Sequence, residues 1–587
     1  MHFDTPLPEA ATLADALTFH AFEIESVEGD ILDVKVTPNR GHDCLSHRGI
    51  AKEVAAILNI KMKRDPLREP ISLEPKSDAV KVVVENQKLC PRFTGAYITG
   101  VKVGPSPEWL RKNLEAIGQK SINNIVDITN YVLFDIGQPL HAFDGGKLSE
   151  KNGSRALTVR LAKQGEKLVG LDDKEYALSP SMLVIEDANA GVIASIAGIK
   201  GGKPTGVNDS TNAIFLEAAN WDGVTIRKTS QALKLRTDAS DRFQQVISSE
   251  LAAYGTSIAA KLITEIAGGK IVGYVDEYPK REEYKTVSVS TGKVNAVLGT
   301  KLSDADVADA FKRLDLPCKR DEVTPHRMLV AVPFERLDLV IPEDLVEEVG
   351  RIVGYDKVPA TPLPSFEKKP EVNANFYAAE KAREDLMQKG YSEVFTSVFA
   401  EEGERSVLNK VGGEKPFLRT SLVSGLTEAY ERNMRIKDML GLSEVKIFEI
   451  GIVWKGGKEI IMLGIANKEG VRESPLLPQA ENAYENFPLS STERYQTFSR
   501  YPAIIRDIAL WVSAHTKPED VEKILRENAG ELLVRSEKFD EFKKGERTSY
   551  AFRLVFQSFE RTLTEVEVNA VMEKVAEALK AKGFEVR

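Results

Sequence analysis

The 587-residue sequence has little cysteine and no long apolar run. Its three cysteines, Cys44, Cys90 and Cys318, are far apart and form no CxxC pair, so neither a disulfide framework nor a zinc site is expected. This pattern is typical of a reducing compartment and indicates the cytoplasm. No apolar stretch is long enough to span a bilayer, and the first residues, MHFDTPLPEA, do not resemble a signal sequence. Membrane and export functions are therefore not expected.

The sequence also lacks the motifs of a self-contained nucleotide-using enzyme. There is no GxxxxGK[ST] phosphate loop, no GxGxxG opening a helix and no GxSxG elbow. The net charge of −9 argues against a protein that coats nucleic acid, because phosphate binding needs local positive charge. The segment 497–587 differs, since it carries sixteen basic and sixteen acidic residues. Contact with RNA is therefore compatible with that segment.

What is present predicts an α+β protein with several domains. Residues 1–65 indicate a small α+β unit, residues 80–280 a sheet-rich domain, and residues 283–358 a second small unit. The proline-rich segment PATPLPSFEKKP separates these from residues 366–480. Residues 497–587 show the order strand, helix, strand, strand, helix, strand, which predicts a ferredoxin-like fold.

Four acids lie close together in FERLDLVIPEDLVEEVGRIVGYD, residues 334–356. They are Asp338, Asp344, Glu347 and Glu348. Pro342 suits the first turn of a helix, and helical spacing then places the last three acids on one face. Carboxylates without histidine or cysteine suit a hard cation such as Mg²⁺. The alternative is a solvated acidic helix start, in which Glu347 pairs with Arg351.

Two other stretches place polar residues among apolar ones. His141 and Asn130 lie in SINNIVDITNYVLFDIGQPLHAFD, and Glu217 lies in NAIFLEAANW. The structural alternative for His141 is a satisfied core or turn residue, and for Glu217 an edge residue facing water. An acid buried at that position would instead need a hydrogen-bond partner or a ligand.

Six segments, taken together, make the sequence recognisable. They are TPNRGHDCLSHRGIAKEVAAIL (37–58), VDITNYVLFDIGQPLHAFD (126–144), LRTDASDRF (235–243), PFERLDLVIPEDLVEEVGRIVGYD (333–356), FLRTSLVSGLTEAYERN with FEIGIVW (417–454), and the region from YPAIIRDIALWV to RTLTEVEV (501–568). In this order they resemble the β subunit of bacterial phenylalanine–tRNA ligase, and they cover nearly the whole chain.

The resemblance implies roles for the residues singled out above. Asp338, Asp344, Glu347 and Glu348 match the acids that bind Mg²⁺ in the small, winged-helix-like B5 domain. The sheet-rich domain resembles the B3/B4 editing module, which hydrolyses tyrosine wrongly attached to the tRNA. In that module His141 and Asn130 match positions near the tRNA end, Glu217 the acid that reads the tyrosine hydroxyl, and Ala197 a small residue of the pocket floor.

The second half of the chain also has counterparts in the family. Residues 366–480 resemble its inactive copy of a class II synthetase domain, in which FEIGIVW is not followed by a glycine-rich run ending in a catalytic arginine. Residues 497–587 resemble its anticodon-binding domain. There Arg506, Arg553, Tyr501 and Phe539 would supply phosphate contacts and stacking surfaces for RNA.

The resemblance also implies partners. The family works as a heterotetramer of two α and two β subunits, which binds the tRNA for phenylalanine, and the α subunit binds ATP and phenylalanine. A free-standing editing or RNA-binding protein derived from this subunit is the alternative. No membrane partner is expected.

Three departures from the family are visible. The OB-fold tRNA-binding domain usually inserted near the N-terminus is missing, because FEIESVEGDILDVKVTPNR runs through the insertion point around Glu28 to Asp30. AGIKGG has Ile199 and Lys200 where the family usually includes a methionine, and DRFQQVI replaces a more charged continuation. Editing is therefore less firmly implied than tRNA ligation.

Overall fold

The computed structural model describes residues 2–365, 371–409, 415–479 and 499–587. These form two compact units, Met1–Leu363 and Pro364–Arg587, and the boundary falls inside the proline-rich segment. Both units are mixed α+β, as the sequence predicts. Within the described residues, no helix is long and apolar enough to cross a membrane.

The first unit begins with a two-stranded sheet and three helices. They are α1 (Ala10–His20), β1 (Ile24–Glu28), β2 (Ile31–Val34), α2 (Gly41–Cys44) and α3 (His47–Leu58). Helix α3 begins where Ser46 accepts a hydrogen bond from the backbone N–H of Gly49, and it ends at Asn59 in the left-handed region.

Three sheets and five helices follow. The strands are β3 (Val80–Val84), β4 (Arg92–Thr99), β5 (Leu140–Asp144), β6 (Glu150–Lys151), β7 (Ser154–Leu161), β8 (Lys167–Val169), β9 (Glu175–Ala177), β10 (Leu183–Asp187), β11 (Val192–Ile196), β12 (Lys200–Gly201), β13 (Ala213–Asn220) and β14 (Lys270–Glu277). The helices are α4 (Glu108–Ala116), α5 (Asn124–Ile136), α6 (Gly223–Leu233), α7 (Asp238–Phe243) and α8 (Leu251–Ile266).

The two larger sheets share one apolar core, and β8 and β9 form a separate two-stranded sheet. One has the strand order β14-β4-β13-β5, and the other has β12-β11-β10-β7-β3, with β6 paired to β7. Phe93, Phe143 and Phe215 are fully buried in the core. Strand β13 is buried along its whole length, because strands flank it on both edges and α8 contacts it.

The first unit ends with a three-stranded sheet in the order β15-β17-β16 and three helices. The elements are β15 (Thr286–Ser290), α9 (Thr291–Leu298), α10 (Asp304–Arg313), β16 (Cys318–Arg320), β17 (Arg327–Ala331) and α11 (Pro342–Val353). Ser303 caps α10, and Pro342 occupies the first turn of α11, which the sequence predicts. Leu345, Val349 and Ile352 of α11 enter this core.

The second unit first forms α12 (Ala374–Gln388), β18 (Ser392–Glu393), β19 (Phe399–Ala400), β20 (Phe417–Leu418), α13 (Val423–Leu440), β21 (Ile447–Lys455), β22 (Lys458–Asn467) and β23 (Gly470–Pro475). Its main sheet has the order β18-β21-β22-β23. The FEIGIVW segment lies in β21, and α13 packs on one face of this sheet.

The last ninety residues contain β24 (Ile504–Ser513), α14 (Pro518–Ala529), β25 (Leu533–Lys544), β26 (Arg547–Phe556), α15 (Glu565–Ala581) and β27 (Glu585–Val586). The order of elements and the strand order β25-β26-β24-β27 are those of a ferredoxin-like fold, which confirms the sequence prediction. Tyr550, Phe552, Leu554 and Phe556 of β26 point into the core against the two helices.

Candidate functional sites

Glu217 lies at the centre of a sheet. In β13 it pairs with Gly95 of β4 on one side and with His141 of β5 on the other. Its side chain is buried, at 6% exposure. The alternative of an edge residue facing water is therefore wrong.

Glu217 and His141 line one small cavity of about 80 Å³ between the two sheets. Strands β13 and β5 form one wall, and β11 and β12 form the opposite wall. The other lining residues are Pro139, Leu140, Ser195, Ile196, Gly198, Ile199, Lys200, Gly201, Ala239 and Phe243.

The two polar groups are left without protein partners. Nε2 of His141 is buried and makes no hydrogen bond, and no ion pair or hydrogen bond reaches the Glu217 carboxyl from the part of the chain that the structure describes. Burial raises the pKa of Glu217 to about 8 and lowers the pKa of His141 to about 4. Both groups are therefore neutral at pH 7. An unpartnered histidine does not fit the alternative of a satisfied core residue.

Gly201 provides the space in front of the His141 ring. A Cβ atom at this position would lie 2.4 Å from Cε1 and 2.8 Å from Nε2 of the imidazole. Any side chain at this position would therefore displace the ring from the cavity.

The other two residues predicted for this pocket lie outside the cavity. Ala197 is fully buried between Ile196 and Gly198, which do line it, and its backbone N–H donates to the carbonyl of Leu183. Asn130 is half-buried on α5 and does not contribute to the cavity wall.

The four acids of the 334–356 motif line a second cavity, of about 580 Å³. Glu348 is buried at 3% exposure, Asp338 and Asp344 are half-buried, and Glu347 is exposed. Arg351 pairs with Glu348 and Glu53, so the alternative pairing with Glu347 is wrong.

Arginines hold two of these acids. Arg336 donates to both Asp338 oxygens, at 3.0 and 2.7 Å, and to Oε2 of Glu348 at 2.9 Å. Nε2 of His42 lies 3.0 Å from Oδ1 of Asp338. Burial opposes ionisation, but the neighbouring guanidiniums of Arg336 and Arg351 hold the pKa of Glu348 well below its usual range.

The remaining two acids keep unused oxygens. Oδ2 of Asp344 accepts from the backbone N–H groups of Val340 and Ile341, at 2.7 and 2.8 Å, which caps α11. Among the described residues, Glu347 forms no hydrogen bond or ion pair.

A compact set of metal-type donors near this cavity already surrounds a cation. Asp43, Cys44 and Glu53 are the one group of three such donors within 4.8 Å of one another in the described ranges. Nη2 of Arg40 donates to all three, at 2.7, 3.2 and 2.6 Å respectively. The guanidinium therefore occupies the place that a metal ion would take.

The ferredoxin-like sheet has one open face with aromatic and basic side chains. Trp511 contacts the Phe542 ring edge-on, and Arg547 and Arg587 lie 5.3 and 6.0 Å from its ring centre. We call these four residues the Trp511 cluster.

The four residues predicted to contact RNA are divided in space. Arg553 lies over the Phe539 ring at 5.0 Å on this open face, but it also pairs with Asp507 and Asp438. Arg506 instead donates to Asn569 of α15, which lies on the helical face. Tyr501 precedes β24 and contacts Arg500.

Three family models match the chain. A B3/4 domain matches residues 89–268, a tRNA synthetase B5 domain matches residues 287–355, and a ferredoxin-fold anticodon binding domain matches residues 499–587. The first includes the cavity with Glu217, the second the four acids, and the third the Trp511 cluster.

Whole-length relatives share the same name. The phenylalanine–tRNA ligase beta subunit of Bacillus thuringiensis subsp. konkukian is 32% identical over 97% of this chain and 81% of its own. The chain belongs to the phenylalanine–tRNA ligase beta subunit family. The same subunit from Moorella thermoacetica is 32% identical over 98% of this chain and 81% of its own, and that from Geobacter metallireducens is 36% identical over 79% and 59%.

A solved structure also matches a fragment of the beta subunit. It is an N-terminal fragment of the phenylalanyl-tRNA synthetase beta subunit from Pyrococcus horikoshii, 14% identical, with a TM-score of 0.32 over 58% of this chain and 94% of that one. At this similarity it supports no argument about residues.

Several residues that line the Glu217 cavity of this beta-subunit chain are not predicted from the sequence. Ala239 and Phe243 lie within the LRTDASDRF segment, and Lys200 lies within AGIKGG, so both segments were recognised but their residues were given no role. Alternation along β24 and β26 would have indicated that Trp511 and Arg547 face away from the core.

Proposed function

We propose that this chain works with an α subunit, as an α2β2 heterotetramer, to attach phenylalanine to its tRNA. The family membership supports this assembly, and the sequence lacks a nucleotide-binding loop of its own, so the α subunit would bind ATP and phenylalanine. The isolated chain should then show no phenylalanine-dependent exchange of ATP and pyrophosphate.

The proposed division of labour follows the domains expected along the chain. Residues 1–65 would form a small N-terminal α+β domain, 80–280 the editing domain, 283–358 the winged-helix-like B5 domain with the Mg²⁺-binding motif, 366–480 an inactive class II synthetase-like domain, and 497–587 the anticodon-binding domain. Residues 366–370, 410–414 and 480 of the fourth region, and 497–498 of the fifth, lie outside the described residues.

We infer that this chain hydrolyses tyrosyl-tRNA at the cavity that contains Glu217. The observation that supports it is the pair of buried polar groups, Glu217 and His141, that face a cavity without protein partners. An unpartnered carboxyl can bind a phenol hydroxyl, and a site that binds a hydroxyl rejects the analogue without it by roughly 10⁴-fold. The apolar side chain of phenylalanine would leave Glu217 unsatisfied.

The cavity must open before a tyrosine ring can enter. Its volume of about 80 Å³ is smaller than the roughly 150 Å³ of a cavity that binds benzene. Asn130 and Ala197 would act around the pocket, near the RNA end and behind the floor, because neither lines the cavity in this state.

The test is the deacylation of purified tyrosyl-tRNA by the assembled complex. Glu217→Ala should slow tyrosyl-tRNA hydrolysis at least tenfold and leave phenylalanine charging unchanged, because it removes a hydrogen-bonding group outside the synthetic site. Glu175→Ala is the matched control, since Glu175 is exposed on β9 and pairs with Lys167. A wild-type complex that does not hydrolyse tyrosyl-tRNA would refute the editing proposal.

We propose Mg²⁺ as the ligand of the acidic cavity, held chiefly by Asp344 and Glu347. Six carboxylates in and around the cavity, Asp43, Glu53, Asp338, Asp344, Glu347 and Glu348, face three guanidiniums, those of Arg40, Arg336 and Arg351. This excess of negative charge favours a cation. Asp338 and Glu348 could join only where Arg336 releases them. The ion would supply charge neutralisation, with water in its other positions.

The Trp511 cluster is proposed as the main RNA-stacking surface of the anticodon-binding domain. A part-exposed indole flanked by two arginines can stack on a base while the guanidiniums approach phosphates. Arg553 and Phe539 would extend this surface. Arg506 would contribute less, because it donates to Asn569 on the helical face, and Tyr501 would add a contact at the start of the domain.

A further inference from the structure

Leu171 is an apolar residue in the turn between β8 and β9, and it is 50% exposed. Its backbone N–H donates to the carbonyl of Gly201 at 3.1 Å, and the preceding residue, Gly170, forms a bridge with Gly202. Gly201 belongs to β12, which forms part of one wall of the Glu217 cavity. The turn is therefore fixed to the cavity wall through the backbone.

The side chain of Leu171 lies on the same face of β12 as the ring of His141. A Cβ atom at Gly201 would lie 2.9 Å from Cδ1 of Leu171, and the same atom would lie 2.8 Å from Nε2 of His141. The second methyl group, Cδ2, lies 2.7 Å from the position of a Cβ atom at Gly206, so two glycines leave room for this side chain. An apolar methyl group is therefore a neighbour of the imidazole nitrogen that has no partner among the described residues.

The exposure of the lining residues shows where the cavity approaches solvent. The partly exposed ones are Leu140, His141, Gly198, Lys200, Gly201 and Ala239, and the others are buried. Exposure increases from Glu217, at 6%, through His141 and Gly201 to Leu171, at 50%. Leu171 therefore lies at the solvent end of the cavity, on the side where β5 faces β12.

The proposed substrate would bring a nucleoside to this end. In an aminoacyl-tRNA, an ester joins the amino acid to the ribose of the terminal adenosine. When the tyrosine hydroxyl binds Glu217, the ester and the ribose must follow toward solvent. The adenine then stays outside the cavity, which is only about 80 Å³ in volume. Enzymes that bind a single unstacked base hold its faces against aromatic or apolar side chains.

We propose that Leu171 is a positioning residue that packs against the adenine of the aminoacylated nucleotide, an inference that rests on the proposed editing function. The contact would hold the ribose next to His141 and take no part in bond breaking. A contact that is equally strong in the bound substrate and in the transition state acts on KM and leaves kcat unchanged. The effect should also depend on the presence of the base.

The test compares Leu171→Ala with the wild type in the assembled complex. Hydrolysis of tyrosyl-tRNA should show a KM about three- to tenfold higher and an unchanged kcat, because one base loses the side chain that it packs against. Leu171→Met should restore the KM, since methionine keeps an apolar side chain of similar volume. A loss confined to kcat, or equal KM values for Leu171→Ala and the wild type, would overturn the proposal while editing itself stands.

Val192→Ala is the matched control. Val192 is also an apolar residue of this domain and is 49% exposed. It lies at the start of β11, whereas the cavity is lined by Ser195 and Ile196 at the end of that strand. Its variant should therefore behave as the wild type.

A second measurement separates this inference from the editing proposal, because it needs no hydrolysis. Binding of the trinucleotide RNA CCA to the full chain is compared with binding of the same trinucleotide without its last base. Leu171→Ala should weaken binding of CCA about three- to tenfold and leave binding of the abasic form unchanged. An equal loss for both trinucleotides, or no loss for either, would overturn the contact with the base.

Discussion

Buried polar groups have protein partners in the acidic cavity and lack them in the Glu217 cavity. In the first, Asp338 and Glu348 are ionised and held by Arg336, Arg351 and His42. In the second, Glu217 and His141 are neutral and have no partner in the described structure. A fully paired buried charge links the secondary-structure elements that carry the partners, whereas an unpaired buried group is available to bind a ligand. The comparison indicates that the arginine-held acids support the fold and that the unpartnered pair recognises a substrate.

The largest effect on stability should come from removing Arg336 from the acidic cavity. Arg336→Met removes the cation between Asp338 and Glu348, so it should lower the free energy of unfolding of the first unit by roughly 3–5 kcal/mol. Calorimetric unfolding measures this change. Arg327→Met is the control, since Arg327 is 43% exposed on β17 and should lose less than about 1 kcal/mol.

Adding Asp338→Asn to Arg336→Met should restore part of that loss, because Asp338 loses both of its guanidinium hydrogen bonds, whereas Glu348 keeps Arg351. If Arg336→Met is as stable as the control, the arginines do not hold this part of the fold, and the contrast between the two cavities fails.

The buried carboxyl of Glu217 should make the stability of the protein depend on pH. Burial raises the pKa of Glu217 from an ordinary value of 4.5 to about 8, so the folded chain holds a proton that the unfolded chain releases. The stability that this proton contributes is complete below pH 4.5 and is lost as the pH rises through 8. Relative to Glu217→Gln, which is neutral at every pH, the wild type should therefore lose on the order of 4 kcal/mol between pH 5 and pH 9.

Unfolding of both proteins across this range tests the prediction. Parallel curves for the wild type and Glu217→Gln would mean that Glu217 is ionised in a polar setting, and the cavity would then resemble the acidic one. His141 does not disturb the comparison, since both proteins contain it.

A smaller effect should follow from Trp511→Ala. Stacking of one base on an aromatic ring contributes roughly 1–3 kcal/mol, so the affinity of the complex for tRNA should fall about tenfold. Trp109→Ala is the control, because Trp109 is also part-exposed but packs on Tyr131 in the first unit. Equal tRNA affinities for the two variants would mean that the Trp511 cluster does not contact RNA.

The sequence predicted the elements well because their signals are local. Pro342 and Ser303 mark helix starts within one turn, and the order of the last six elements requires only periodicity. The pairing of the acids was not predictable, because some of the partners come from distant parts of the sequence. His42 contacts Asp338, and Glu53 contacts Arg351, in each case across almost 300 residues. Long-range contacts of this kind leave no periodic signal.

The smallest effect should come from Mg²⁺, because arginines already neutralise half of the acidic motif. Asp344 and Glu347 alone would bind Mg²⁺ weakly, so a few-fold excess over its Kd should stabilise the first unit by only about 1 kcal/mol. Combining Asp344→Asn with Glu347→Gln should abolish this gain, while the amide oxygen introduced by the first substitution would still accept the hydrogen bonds that cap α11. Glu343→Gln is the control, since Glu343 lies on the same helix but pairs with Lys293 outside the cavity. An unchanged Mg²⁺ gain in the double variant would mean that Asp338 and Glu348 bind the ion after Arg336 moves, and the paired cavity would then also be a ligand site.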